Sequence, residues 1–169
     1  MWSMRYRKMN KYIKLVAVAG TIIILDQITK SLILGRMALY DSFAVVPGFF
    51  NIVHIHNQGG AFGLLAGQSE MIRYLVFVLL SAVAVGVIYY LYVRTPVAEW
   101  LQATGLALIF GGAIGNMIDR LRFGYVVDFL DFYLKGWHYP AFNVADSAIT
   151  VGIGLFLLQM LTQKTQTAP

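Results

Sequence analysis

Two aspartates are the residues best placed to do chemistry in this chain. Asp128 lies in Tyr125-Val126-Val127-Asp128-Phe129-Leu130 and Asp146 in Phe142-Asn143-Val144-Ala145-Asp146-Ser147, both where apolar runs meet their connecting segment. Hydrocarbon cannot solvate an ionised carboxylate, so an acid at the edge of a membrane span marks a functional site by default. Two acids brought together share a proton, one ionising readily while the other resists. The ionised member can activate water while the protonated one donates to a carbonyl or amine, which is acid–base hydrolysis without a covalent intermediate. Each acid also has a plainer reading. Asn143 reads as a helix N-cap with Asp146 at the third helical position, where a capping-box acid sits and the helix dipole favours negative charge. Asp128 reads equally as a loop acid.

Other polar residues could support such a pair. Asp26 and Lys30 are four apart and share one helical face, as a structural ion pair or with Lys30 snorkelling to the interface. Gly111, Gly112 and Gly115 leave room for a neighbouring helix to approach closely. Asn116 and Arg120 follow on one face with Asp119 beside them, able to buttress a carboxylate. His54 and His56 share a strand face that could in principle hold a metal, but no third ligand is evident and a surface pair is the simpler account.

The elements that must position these residues follow from composition. The chain has 169 residues, 59% hydrophobic and 12% charged, and a mean hydropathy of +0.67, too few charges for an ordinary soluble surface. It reads as a membrane α-helical protein and a single domain over residues 1–169. Four spans are expected, at about 15–34, 74–93, 100–118 and 142–161, each near the roughly 20 residues that cross the hydrocarbon core. The absence of Cys excludes disulfides, thiol nucleophiles and lipid attachment through cysteine. A formal charge of +5 does not point to nucleic acid, because Arg5, Arg7, Lys8, Lys11 and Lys14 all precede the first span and read as a topology signal. Both termini are therefore expected in the cytoplasm and the site at the extracytoplasmic face. A cleaved signal peptide is disfavoured, since only Tyr12 to Val16 would form its apolar core before a cut at Ala17-Val18-Ala19.

Residues 35–69, between spans one and two, are the strand-like part of the chain. Ser42–Val46 and Phe49–His56 are rich in aromatic and β-branched residues and are separated by Pro47-Gly48, which predicts a small extracytoplasmic β-sheet cradle. Asn57-Gln58-Gly59-Gly60-Ala61-Phe62-Gly63 follows, a glycine-rich loop that is either an Asn-stabilised turn or a clamp on an extended peptide. The segment from Asn57 to Gly67 is expected to move on substrate entry. Ser69 is expected to cap the second helix and Thr95-Pro96 to open the third.

Taken in order, these residues resemble the lipoprotein signal peptidase (signal peptidase II) family. The resemblance covers nearly the whole chain and rests on five ordered blocks: Asp26-Gln27-Ile28-Thr29-Lys30; Asn57-Gln58-Gly59-Gly60-Ala61-Phe62; Gly111-Gly112-Ala113-Ile114-Gly115-Asn116 with Asp119-Arg120; Val127-Asp128-Phe129; and Phe142 to Ser147. Gly60 stands where relatives often have Ala. The resemblance implies a bacterial inner-membrane aspartyl endopeptidase that cleaves diacylglyceryl-modified prolipoproteins just before the lipidated cysteine. It implies Asp128 and Asp146 as the dyad, with Asn57, Gly59, Asn116, Arg120 and Asn143 lining or supporting the site and Asp26, Lys30 and Asp119 contributing structure. No cofactor or metal is expected, and the partners are the lipidated substrate and membrane lipids, with the chain acting as a monomer.

Two readings from other classes compete. A small ion-coupled transporter would use Asp26 and Lys30, although its sites usually lie near the midplane between internal repeats, and no repeat is evident. A noncatalytic membrane adaptor would explain the glycines and the basic N-terminus but leave the two acids as coincidence. No His-Glu-x-x-His zinc motif and no Gly-x-Ser-x-Gly elbow occurs.

Overall fold

The computed structural model describes the backbone of residues 2–59 and 67–166 and the side chains of residues 10–59 and 67–162. Most of the glycine-rich loop, residues 60–66, lies outside the described residues, and with it the expected movement of that segment. The described chain forms α1 (Trp2–Arg36), β1 (Ser42–Val46), β2 (Phe50–Asn57), α2 (Glu70–Arg94), α3 (Trp100–Phe123), β3 (Val126–Leu134), β4 (Trp137–His138) and α4 (Val144–Gln166). All four helices are long and apolar enough to cross a membrane.

Each helix extends beyond its expected span, for local reasons. No Gly or Pro interrupts α1 before Gly20, so the helix runs through the basic N-terminal segment. The Ser69 side chain caps α2 by accepting from the Ile72 N–H, as expected. Thr95 does not open α3. Its amide and hydroxyl both donate to the Leu91 carbonyl at the end of α2, and α3 begins at Trp100 after Glu99. The open carbonyls of a finished helix need donors, and Thr95 supplies them. At the far end of α3, Gly124 takes φ +80° and its N–H bonds to the Arg120 carbonyl, a left-handed stop that suits glycine.

The central helix is α3, which packs against each of the other three. Ala103, Leu106 and Ala107 form the core with Leu15 and Ala19 of α1 and Tyr92 of α2. Where α4 crosses α3, a Cβ on Gly112 would run into the Ala145 carbonyl. That close approach brings the first turn of α4 against the polar end of α3.

The sheet is antiparallel with order β1-β2-β3-β4. Pro47-Gly48 closes the first hairpin, with Gly48 at φ +82° and the Phe49 N–H bonded to the Val46 carbonyl. Confining strands to residues 35–69 therefore captures only half the sheet. β3 and β4 come from residues 126–138, joined by a two-residue turn in which Lys135 and Gly136 take φ +50° and +82°. β3 escaped the sequence reading because its first four residues are all buried. A strand covered on both faces shows no polar alternation. β2 flanks one edge of β3, and Phe142 bonds to Phe129 and Leu130 on the other.

Candidate active site at the sheet end of the bundle

The polar residues singled out in the sequence converge where β3 and the start of α4 meet α1 and α3. Asp128 is 1% exposed. Its Oδ2 accepts from Asn57 Nδ2 at 2.9 Å and its Oδ1 from Asn143 Nδ2 at 2.7 Å. Burial pushes the Asp128 carboxyl up to about 7, with the nearby Asp146 charge adding to it and the Asn57 and Asn143 amides and Lys30 opposing it. Asp146 is less buried and caps its own helix. Asn143 N donates to Asp146 Oδ2 at 3.1 Å, and Asp146 N donates back to Asn143 Oδ1 at 3.0 Å. The capping box read from the sequence is thus real, and it holds one oxygen of Asp146. The other oxygen accepts from Asn116 Nδ2 at 2.8 Å. Asn143 therefore ties the two carboxylates together through its side chain and its backbone.

Below them sits a second group. Lys30 Nζ lies 2.9 Å from both Asp26 Oδ2 and Asp119 Oδ2 and donates to Asn116 Oδ1 at 2.8 Å. Lys30 does not snorkel; it is 2% exposed. Asp26 also accepts the Ala145 N–H at 3.0 Å, one of the open donors at the start of α4. Asp119 accepts the Val127 N–H at 3.1 Å and so fixes β3 one residue before Asp128. Gln27 completes the group, its Nε2 lying 3.1 Å from Asp26 Oδ2, 3.0 Å from Asp119 Oδ1 and 3.2 Å from the Gly115 carbonyl. Sequence reasoning gave Gln27 no role, although it stands inside the quoted first-span block. A Cβ on Gly115 would lie 2.7 Å from Asp26 Oδ2, so glycine there makes room for the carboxylate.

Arg120 Nη1 donates to the Asn116 carbonyl at 3.2 Å, and its guanidinium lies in the field of Asp146, Asp128 and Asp119. Gly59 takes φ +89°, donates its N–H to Asn57 Oδ1 at 2.8 Å, and would drive a Cβ into the Phe77 ring at 2.8 Å. This Asn-centred turn orients the amide that reaches Asp128. The histidines correct one expectation. His54 is buried rather than on the surface and contacts His56, because β2 packs its face toward Met37 and Tyr125.

By class this is a multi-span membrane protein with a carboxylate pair, one member buried, at one end of its helix bundle. The family model for signal peptidase (SPase) II matches residues 18–162. The chain is 50% identical over 152 residues to the lipoprotein signal peptidase of Desulforapulum autotrophicum, covering 90% of this chain and 94% of that one. It is 48% identical over 147 residues to the lipoprotein signal peptidase of Geobacter sulfurreducens, covering 87% and 91%. A bacterial membrane enzyme solved by the in meso method at 2.3 Å resolution superposes with a TM-score of 0.80 at 32% identity over 91% of each chain. The chain belongs to the signal peptidase II family, a family of bacterial inner-membrane proteases. That membership overturns the transporter reading, and Asp26 and Lys30 instead form the buried group beneath the carboxylate pair.

Proposed function

We propose that the chain is an aspartic endopeptidase whose dyad is Asp128 and Asp146, removing the signal peptide from diacylglyceryl-modified prolipoproteins just before the lipidated cysteine. The observation that carries this reading is the Asn143 bridge between two carboxylates, one of them pushed up to about 7. Asp128, the buried member, is protonated and donates to the scissile carbonyl. Asp146, more accessible and at the positive end of the α4 dipole, serves as the base and accepts a proton from the attacking water. Water oxygen adds to the carbonyl carbon, its proton passes to Asp146, and the carbonyl oxygen takes the Asp128 proton. On collapse, the carbonyl re-forms and returns its proton to Asp128. The amide nitrogen takes the proton held by Asp146 as the C–N bond breaks. The two carboxyls make every proton transfer, so the reaction is metal-independent.

Asn57, Asn116 and Asn143 orient the dyad, while Asp26, Lys30, Asp119 and Arg120 build its platform. Gly59 shapes the turn that presents Asn57. An even number of spans places both termini on one side, and the N-terminal cations place that side in the cytoplasm, so the sheet and dyad face outward. A substrate anchored by its lipid then needs only lateral entry. The chain acts as a single-domain monomer among membrane lipids.

The test follows cleavage of a diacylglyceryl-modified prolipoprotein by gel shift, with chelator present, for the wild type, Asp128→Asn and Asp146→Asn in liposomes. Cleavage by the wild type alone is expected. Normal turnover by either variant, or loss of wild-type activity on chelation, overturns the aspartic assignment.

A further inference from the structure

The histidines of β2 take no part in the site just described, and their geometry is not that of two free surface side chains. Their Nε2 atoms stand 3.1 Å apart. His54 is buried, with Nδ1 3.0 Å from the Met37 carbonyl oxygen. A carbonyl only accepts, so His54 Nδ1 carries the proton and its Nε2 presents a lone pair toward His56. An imidazole whose second nitrogen donates to a backbone carbonyl is the arrangement found behind metal-bound histidines, where it sets the tautomer and ring orientation. His56 is held by a stack on Tyr125, with ring centroids 3.6 Å apart and planes 17° apart.

We propose that His54 and His56 form a binding site for one divalent transition-metal ion of the zinc, copper or nickel class, with water completing its coordination. Metal–nitrogen bonds of about 2.0–2.1 Å spanning the 3.1 Å between the Nε2 atoms meet at roughly 100°, between the square-planar and tetrahedral angles. Binding needs His56 to pass its proton from Nε2 to Nδ1 through solvent. Both rings stay neutral, and no other reactant is required. Among the described residues no group of three or more His, Cys, Asp or Glu could hold a metal. The site is therefore open, and it binds more weakly than a closed structural zinc site. Asn57 follows His56 directly, and its amide donates to Asp128. A metal held on His56 thus acts on the residue next to the one that orients Asp128. This last consequence rests on the peptidase reading, whereas the binding itself does not.

The experiment uses the full chain in detergent, free of any polyhistidine tag, titrated with Cu²⁺ by electron paramagnetic resonance and with Zn²⁺ by calorimetry. One ion per chain is expected, with a two-nitrogen copper signature. His54 is buried and its replacement perturbs the hairpin, so His56→Gln is the deciding variant, expected to weaken binding by about tenfold or more. His138→Gln, which alters the remaining histidine, whose side chain is 53% exposed, leaves affinity unchanged. Absence of saturable binding, or unchanged affinity in His56→Gln, overturns the site. In a second arm, saturating Zn²⁺ slows cleavage by the wild type and not by His56→Gln. Binding without slower cleavage, or slowing that persists in His56→Gln, overturns the link to Asn57.

Discussion

Asp26 and Asp119 share a lysine, whereas Asp128 and Asp146 share an asparagine. The first pair is clamped by Lys30, with Nζ–Oδ distances of 2.9 Å on both sides, and by the Gln27 amide. The second pair is held by the neutral amides of Asn57, Asn116 and Asn143 and by one backbone N–H. Asp26, Asp119 and Asp128 are all buried, but only the first pair has a cation bonded to its carboxylates. A carboxylate bonded to a buried cation is tied to the fold by that partner, and removing the cation strands it. Asp128, bonded only to amides, keeps its orientation while burial pushes its carboxyl up to about 7. The same residue type thus meets a bonded cation in one place and only neutral amides in the other, and the proposed mechanism gives structural duty to the first pair and proton transfer to the second.

The largest expected effect tests the amide-held group. Asp128→Asn keeps the side-chain volume and removes the titratable proton, so cleavage falls by about 10²- to 10⁴-fold while thermal unfolding in detergent shifts little. Unfolding comparable to the loss of activity would make Asp128 a structural carboxylate like Asp119. The cation-held group predicts the reverse. Lys30→Met leaves Asp26 and Asp119 buried without their cation, and removing one member of such a group costs about 3–5 kcal/mol. Stability measured by denaturation in mixed micelles falls accordingly, and a Lys30→Met protein as stable as the wild type would remove the distinction between the groups.

pH sharpens the comparison further. The Asp128 carboxyl is raised from 3.8 to about 7, so the native state favours its protonated form. Its contribution to stability is complete below the unfolded value and is lost as pH rises through about 7. In the proposed mechanism Asp128 is the acid that donates to the substrate, so kcat/KM is expected to decline about tenfold per pH unit on the alkaline side. A kcat/KM profile that is flat across neutrality would mean that Asp128 reacts as an ionised carboxylate. The smallest effect lies away from both groups. Lys135 holds φ +50° in the β3–β4 turn, where Asn is tolerated better than Lys. Lys135→Asn therefore stabilises the fold by up to about 1 kcal/mol and leaves cleavage unchanged. A change in activity would show that the outer hairpin is coupled to the carboxylates.

Much of this architecture was written locally. Four apolar runs of membrane-crossing length needed only counting, and Pro47-Gly48 between two β-rich runs marked the first hairpin. Asn143 followed by Asp146 announced the start of α4 because a cap acts over three residues. The ten residues singled out for the site all lie in or beside the two polar groups, since each belongs to a short motif of unusual polarity within an apolar chain. What stayed hidden depends on partners far away along the chain. β3 and β4 were invisible because β3 is covered by elements that a local window does not contain. Thr95 was assigned to the wrong helix because either neighbour offered it a cap. His54 was placed at the surface because nothing near it in sequence reveals the Met37 carbonyl. Gln27 showed no task until α1 met α3 and its amide reached both Asp119 and the Gly115 carbonyl. Composition and local pattern thus determined the helices, the first hairpin and the residues at risk of being buried with charge. Packing decided which carboxylates received a cation and which received only amides, because burial and charge compensation are properties of the assembled neighbourhood rather than of any segment.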